Sequence, residues 1–421
     1  MAELRQNTWS LDEWYDQHVA GNVEYNFGGK AYWCGYNWEG QWGVPDIPVN
    51  YKRSSPTLLG GPTEWKEIFG GSSSNAVFGI KTDGTAWCWG SNKYGNLGLH
   101  LPNNGDRSSP VQLAGDNWSY FTSQGGPDDE GGGVMALKTD GTAWAWGTGK
   151  NGRLGLNSPN DQRFSSPNQI GTDSNWGFLS FGNTGTAGYG TKTDGTLWNW
   201  GNSQYGSGGR NIGPDVAVSS PTQVPGTNWA FGRHSVSGGE RHAAAVKQDG
   251  TMWTWGLGDG GATGRNNPTP QSSPVQVGTD TNWGKVICGG GMSPNLSRFV
   301  SATKTDGTLW VWGSSNAGSL GNNEGPGNSR SSPLQVPGSW KTDSYNSVVI
   351  GPDNGVTMNL VKQDGTLWGW GGNYDGNLGT NEAAYPSRLY SSPTQCGTDT
   401  NWAKASQVCG YNKPAAFFIS E

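Results

Sequence analysis

Four histidines, five cysteines and a set of repeated aspartates are the side chains that could carry chemistry in this 421-residue chain. His18, His100, His234 and His242 are scattered, without H-x-x-x-H or H-E-x-x-H spacing, so no zinc site is implied. Cys34, Cys88, Cys288, Cys396 and Cys409 are odd in number and lack C-x-x-C spacing. They read as free thiols of a chain made in a reducing compartment, outside any disulfide framework. Asp83, Asp140, Asp194, Asp249, Asp306 and Asp364 each precede a glycine. Glycoside chemistry needs two carboxyl groups a few ångströms apart, and aspartates at separate turn tips do not converge. Gly147–Gly152 and Gly256–Gly261 match G-x-G-x-x-G, but no helical pattern follows either, as a dinucleotide site requires. The expectation is no catalytic residue, no cofactor and no metal.

Those aspartates belong to a repeat. Lys-[Thr/Gln]-Asp-Gly-Thr-x-Trp-x-Trp-Gly occurs six times, and the aspartates are spaced by 57, 54, 55, 57 and 58 residues. A worn seventh copy, Gly29-Lys30-Ala31-Tyr32-Trp33-Cys34-Gly35, comes first. Ser-Ser-Pro recurs in phase seven times, from Ser54 to Ser391, each followed by a tryptophan: Trp65, Trp118, Trp176, Trp229, Trp283, Trp340 and Trp402. Asp-Gly between strand-like runs predicts a type I′ hairpin. The alternation of Thr85, Trp87 and Trp89 against Ala86 and Cys88 predicts a strand. Proline lacks an N–H, which predicts that Ser-Ser-Pro opens an edge strand. Each unit reads as four short antiparallel strands.

Composition follows from the repeat. Glycine contributes 71 residues and tryptophan 24, of which the repeat accounts for 20. Each indole can bury on the order of 200 Å², so the chain builds a core despite few aliphatic side chains. Net charge is −6, from 27 basic and 33 acidic residues, with no basic block, which opposes binding to a phosphate backbone. Met1–Asn7 has no apolar h-region, and no run of about 18 apolar residues exists, so neither a signal peptide nor a membrane span is expected.

The Asp-Gly-Thr-x-Trp-x-Trp-Gly strand, the Gly-x₄-Gly-x₂-Gly loop and the Ser-Ser-Pro edge resemble the RCC1-repeat family of seven-bladed β-propellers, over residues 29–421. The resemblance implies an all-β ring. Ala415–Ile419 aligns with Ala76–Ile80, the strand before an Asp-Gly turn. This predicts that the C-terminal strand pairs antiparallel with residues 30–34 and closes the seventh blade. The family's namesake is a nucleotide-exchange factor that docks on chromatin with a basic tail. Here the tail carries Glu3, Asp12, Glu13, Asp16 and Glu24 against Arg5 alone. Plant UV-B receptors of the fold use Gly-Trp-Arg-His-Thr, whereas Gly239-Glu240-Arg241-His242-Ala243 lacks that tryptophan.

Residues 1–28 lie outside the repeat. Ser10-Leu11-Asp12-Glu13 is a capping box, and Leu11, Trp14, Tyr15 and His18 share one face of a short helix. Trp9, Leu11, Trp14, Tyr15 and His18 are candidate protein-interaction residues, packed on the chain's own ring or, as favoured here, on another subunit. Trp38 and Trp42 break the loop pattern, because Trp42 stands where other repeats have Leu97, Leu154, Leu320 and Leu378. They are candidate surface contacts for a glycan or protein. Trp9–Asp16 resembles the opening of RCC1-repeat virion proteins of tailed, notably marine, phages. That resemblance implies a non-enzymatic structural or adhesive virion protein, made in the host cytoplasm and joined to other virion subunits through its N-terminal segment. The alternative is a bacterial or viral propeller that binds a soluble protein or glycan.

Overall fold

A computed structural model describes residues 29–420, apart from the loop positions 38, 45–46, 48, 60–64, 72–74, 102–104, 126–131, 159–161, 183–185, 213–215, 291–297, 316–317, 326, 343–347, 351–355, 374–375, 383–387 and 411–412. Seven four-stranded antiparallel sheets form the blades. In blade 1 the strands run, from inner to outer, Trp65–Phe69, Ala76–Lys81, Ala86–Gly90 and Arg107–Gln112. The inner strands of blades 2 to 6 are Trp118–Gly125, Trp176–Phe181, Val236–Gly238, Trp283–Gly289 and Val348–Ile350. Blade 7 is built from both ends of the chain: Trp402–Gly410, Lys413–Ser420, Lys30–Asn37 and Tyr51–Leu58. Each inner strand touches the next, and that of blade 7 touches that of blade 1, so the seven encircle an axis.

Closure follows the expected register. Lys30 pairs with Ser420 and Gly35 with Ala415, which makes Lys413–Ser420 a central strand with partners on both sides. Phe417 and Phe418 on that strand are fully buried. A ring closed this way leaves only short outer edges unpaired.

Two local expectations need correcting. The Asp-Gly turns are three-residue loops of another type. Lys81 N–H donates to the Thr85 carbonyl and Gly84 N–H to the Lys81 carbonyl, and within Thr82-Asp83-Gly84 only Gly84 has positive φ (83°). This is the type I turn followed by a left-handed glycine, a G1 bulge, in place of type I′. Ser-Ser-Pro does not open the outer strand but sits inside it. Residues 108–110 oppose Trp89 alone, between the pairs Cys88↔Val111 and Gly90↔Arg107. The same bulge recurs in every blade. A bulged residue has no ladder partner, so proline costs the sheet nothing there.

Candidate functional site

The repeated side chains lock turns and join blades. In six blades the Asp Oδ1 accepts the Thr hydroxyl at 2.5–2.7 Å and the Thr backbone N–H at 2.9–3.0 Å. The same hydroxyl accepts the indole N–H of the tryptophan two residues on, at 2.7–2.9 Å. The Thr hydroxyl first, then in most copies the backbone N–H, holds these carboxyls below the usual carboxylate range. Beside each relay a lysine ammonium lies between two indoles, 3.5–5.0 Å from the outer ring and 4.7–5.5 Å from the inner. Such cation–π contacts contribute about 0.5–1 kcal/mol when exposed and more when desolvated.

The second tryptophan of the motif reaches across the seam. Trp89, Trp146, Trp200, Trp255, Trp312 and Trp370 donate their indole N–H to a backbone carbonyl of the preceding blade's loop, at 2.6–3.1 Å. A loop glycine makes room for each ring. A Cβ on Gly98, whose φ is +69°, would lie 2.9 Å from Trp146 Nε1. On the same loops, a Cβ on Gly95 or its six counterparts would meet the Cα of the first Ser of the next blade's Ser-Ser-Pro at 2.7–2.9 Å. Six of the seven seams are thus tied by an indole on one side and packed closely on a serine on the other; the seam between blades 6 and 7 has the serine contact without the indole.

The candidate chemical residues are placed apart. His242 is fully buried on the second strand of blade 4, with Nε2 3.3 Å from the Phe299 carbonyl. Burial first, then Arg298, lowers its pKa to about 4. His234 packs against Phe178 near the axis, and His100 lies in a loop after blade 1's third strand. Cys34, Cys88, Cys288 and Cys396 are buried free thiols. Burial pushes Cys88 and Cys396 up to about 12 and raises Cys34 and Cys288. Nucleophilic thiols are depressed in pKa, the opposite shift. The G-x-G-x-x-G matches run into single 3₁₀ turns, Lys150–Gly152 and Asp259–Gly261. Among the described residues no three His, Cys, Asp or Glu side chains are grouped to hold a metal ion, and no helix is long and apolar enough to cross a membrane.

Trp42 is not a surface contact. It is 0% exposed and stacks on Trp33 with ring centroids 3.5 Å apart, in a core shared by blades 7 and 1. Trp38 lies outside the described residues, as do Trp9, Leu11, Trp14, Tyr15 and His18.

Two charged groupings have no signature in the repeat. On the loop face of blades 4 and 5, Arg298 (4% exposed) pairs with Asp259 and lies 3.4 Å from Glu240, which also pairs with Arg241 at 3.0 Å. Burial raises the Glu240 carboxyl, and Arg298 and Arg241 oppose the rise. The Arg241 guanidinium covers the Tyr205 ring at 4.9 Å. At the axis, Arg233 of blade 4 pairs with Glu67 of blade 1 and donates to the Ser119 carbonyl of blade 2 at 2.9 Å. It also lies 5.8 Å from the Phe69 ring and 5.5 Å from Tyr120. Glu67 is 166 residues away, so no spacing pattern announces this pair. The available signal was length: the run from Trp229 to Gly238-Gly239 exceeds that from Trp65 to Gly70-Gly71.

Comparison with known proteins agrees with this architecture. The family model described as "Regulator of chromosome condensation (RCC1) repeat" matches residues 83–122. The mitochondrial RCC1 domain-containing protein RUG3 of Arabidopsis thaliana is 31% identical over 259 residues, 56% of this chain and 55% of RUG3. The E3 ubiquitin-protein ligase HERC2 of Homo sapiens is 25% identical over 361 residues, 83% of this chain but 7% of HERC2. The chain therefore spans about half of the first relative and a small part of the second. Among solved structures, Prp20p of Saccharomyces cerevisiae superposes with a TM-score of 0.72 at 17% identity, covering 94% of this chain and 92% of that one. Human WBSCR16 gives 0.72 at 16%, covering 93% and 100%. The chain carries an RCC1 repeat at residues 83–122, within a seven-bladed ring of the RCC1 type.

Proposed function

We propose that this protein is a non-enzymatic structural or adhesive component of a tailed-phage virion, acting as a rigid platform for protein partners. The observation that carries the platform reading is where the repeated polar groups go. The aspartates fold onto threonines, the indoles onto neighbouring loops and the lysines between indoles, so the repeat's polar groups are engaged in holding the ring rigid. The blade-specific charged groupings around Arg298 and Arg233 lie on the loop face and at the axis, the surfaces a platform presents. A protein partner is consistent with Prp20p, whose structures are described with its binding to Gsp1p and histones and in complex with Kap60. The virion reading rests on the resemblance of Trp9–Asp16 and on the uniformity of the repeats.

Mass spectrometry of purified virions tests this directly. The chain is expected at a fixed stoichiometry to other virion proteins after gradient purification. Its recovery only in the soluble fraction of infected cells would overturn the virion role. It would favour instead a propeller that binds a soluble protein or glycan, which pull-down and a glycan array on the intact protein would then separate. Saturable turnover of a substrate, abolished by one substitution, would overturn the non-enzymatic reading.

A further inference from the structure

The ring begins beside its own axis. The Gly29 carbonyl accepts the Trp65 backbone N–H at 3.3 Å, so the chain enters the fold one residue from Lys66 on the inner strand of blade 1. Lys66 is exposed and directly follows an inner tryptophan. At the first or second place after the same tryptophan stand Lys285 in blade 5, Lys341 in blade 6 and Lys404 in blade 7, all half-buried. Blades 5, 6, 7 and 1 are consecutive around the ring, so the four lysines form one arc at the axial mouth on the Asp-Gly turn side. Lys341 donates to the Trp402 carbonyl at 3.1 Å, which directs it along that arc. Blades 2 to 4 carry Ser119 and Tyr120, Gly177 and Phe178, and Ala230 and Phe231 at those places. Glu67 is the one acidic residue on the described inner strands, and Arg233 engages it. A chain of net charge −6 thus has an axial mouth with a cationic arc opposite a stretch where Tyr120 and Phe178 are buried and Phe231 is exposed.

We propose that this mouth is the docking site of residues 1–28 of the same chain. The segment's composition is complementary to the lysine arc and to the exposed Phe231: Glu3, Asp12, Glu13, Asp16 and Glu24 against Arg5, with Trp9, Leu11, Trp14 and Tyr15 between them. Attachment at Gly29 puts the segment at the mouth already. Residues 21–28 alone can span up to about 26 Å when extended, enough to carry Asp12–Asp16 back over the axis. Tethering raises the effective concentration of the segment at its site, so docking within one chain outcompetes the same segment of a second copy. The proposal concerns the ring itself and stands or falls independently of which particle the protein belongs to.

Zero-length carbodiimide cross-linking of the full chain, on an equal mixture of light and heavy isotope-labelled protein, reads the contact by mass spectrometry. The Lys192–Asp173 and Lys304–Asp280 pairs, at 2.9 and 2.8 Å, serve as internal positive controls. Expected are links from Asp12, Glu13 or Asp16 to Lys66 or Lys404 within a single isotope class. Mixed light–heavy links would overturn docking in cis in favour of a second copy. Control links without any link to residues 1–28 would overturn the site. As a second measure, Lys66→Glu with Lys404→Glu should speed chymotryptic cleavage after Trp14 and Tyr15 about 10-fold, because cleavage follows the undocked population. Asp12→Asn with Glu13→Gln and Asp16→Asn, which leaves the ring sequence intact, should do the same without moving the melting temperature. Cleavage at the wild-type rate in both variants would end the proposal.

Discussion

Blades 1 to 6 and blade 7 place their bulk on opposite sides of the same strand. In the six, the third strand sends a tryptophan across the seam with the preceding blade, as Trp146 does to the Asn96 carbonyl at 2.7 Å. The residue before it, smaller than an indole in every copy and Ala145 in blade 2, takes the other face. In blade 7 Cys34 stands at the seam, 3.6 Å from the Asn377 carbonyl, and Trp33 faces inward onto Trp42. The indole has been moved from the side facing blade 6 to a core that blade 7 shares with Trp65 and Trp89 of blade 1. Blade 7 also has Lys30 where the others have the relay threonine. Its seam with blade 6 therefore lacks the indole tie, and its integrity rests on strand pairing between the two ends of the chain.

The severest way to break this contrast is to remove that pairing. Deleting residues 415–421 takes Phe417, Phe418 and Ile419 from the core, strips the inner strand Trp402–Gly410 of its ladder partner and leaves Lys30–Asn37 paired on one side only. The loss should exceed the roughly 5–15 kcal/mol that holds a domain folded, and exposed edges should aggregate. Size-exclusion chromatography and thermal melting check this. A soluble truncation with an unchanged melt would mean that the ring closes by some other contact.

Single substitutions sharpen the comparison. Trp146→Ala should cost about 3–5 kcal/mol, the range for large core aromatics, because it opens a cavity and removes the seam hydrogen bond. Cys34→Ala removes one buried sulfur and should cost about 1 kcal/mol or less, on the scale of a buried methylene. Chemical denaturation of the two variants measures both. Equal losses would show that the seventh seam is tied as firmly as the rest.

Acid should act on the regular blades and spare the seventh. His242 in blade 4 is neutral inside the fold with a pKa of about 4, whereas an unfolded imidazole titrates near 6.5. The unfolded chain binds the extra proton, so stability falls as pH drops from about 6.5 towards 4, by about 3 kcal/mol at most. The six turn aspartates have depressed folded pKa values, so their contribution is present above about pH 3.9 and is lost as pH falls through those values. Blade 7 has neither group at these places. His242→Gln should flatten the stability profile between pH 6.5 and 4 and leave the decline below pH 4 in place. A variant profile that parallels the wild type throughout would remove His242 from the account.

The regular blades were legible because their markers are local and repeated. Strand order, blade count and closure follow from seven in-phase copies and from Ala415–Ile419 matching the strand before a turn. The turn type was missed because Asp-Gly serves both hairpin forms. What separates them is that pairing extends to Lys81 and Thr85, which makes the loop three residues long. Trp42 was misread because position 42 departs from the leucine pattern only in concert with position 33. Read alone it resembles an exposed oddity; stacked on Trp33 it fills a core. Arg233 and Glu67 meet through the ring's curvature, which no linear spacing encodes.

The smallest expected effect concerns the relay that blade 7 lacks. Thr251 is buried, and its hydroxyl donates to Asp249 at 2.7 Å while accepting the Trp253 indole N–H at 2.8 Å. Thr251→Val keeps the branched shape and removes only the oxygen, so packing in the strand is preserved. Two hydrogen bonds are lost, but Trp253 is half-buried and the Asp249 carboxylate is open to water, so both partners recover solvent contacts. The net cost should be about 1 kcal/mol, near the value of a single intramolecular hydrogen bond. The decisive reading is at the carboxyl. The Thr251 hydroxyl is the largest cause of the lowered Asp249 pKa, so Thr251→Val should move that pKa upward in a carbon-detected NMR titration. An unmoved titration with unchanged stability would show that the six regular turns hold their shape without the relay, as blade 7 does.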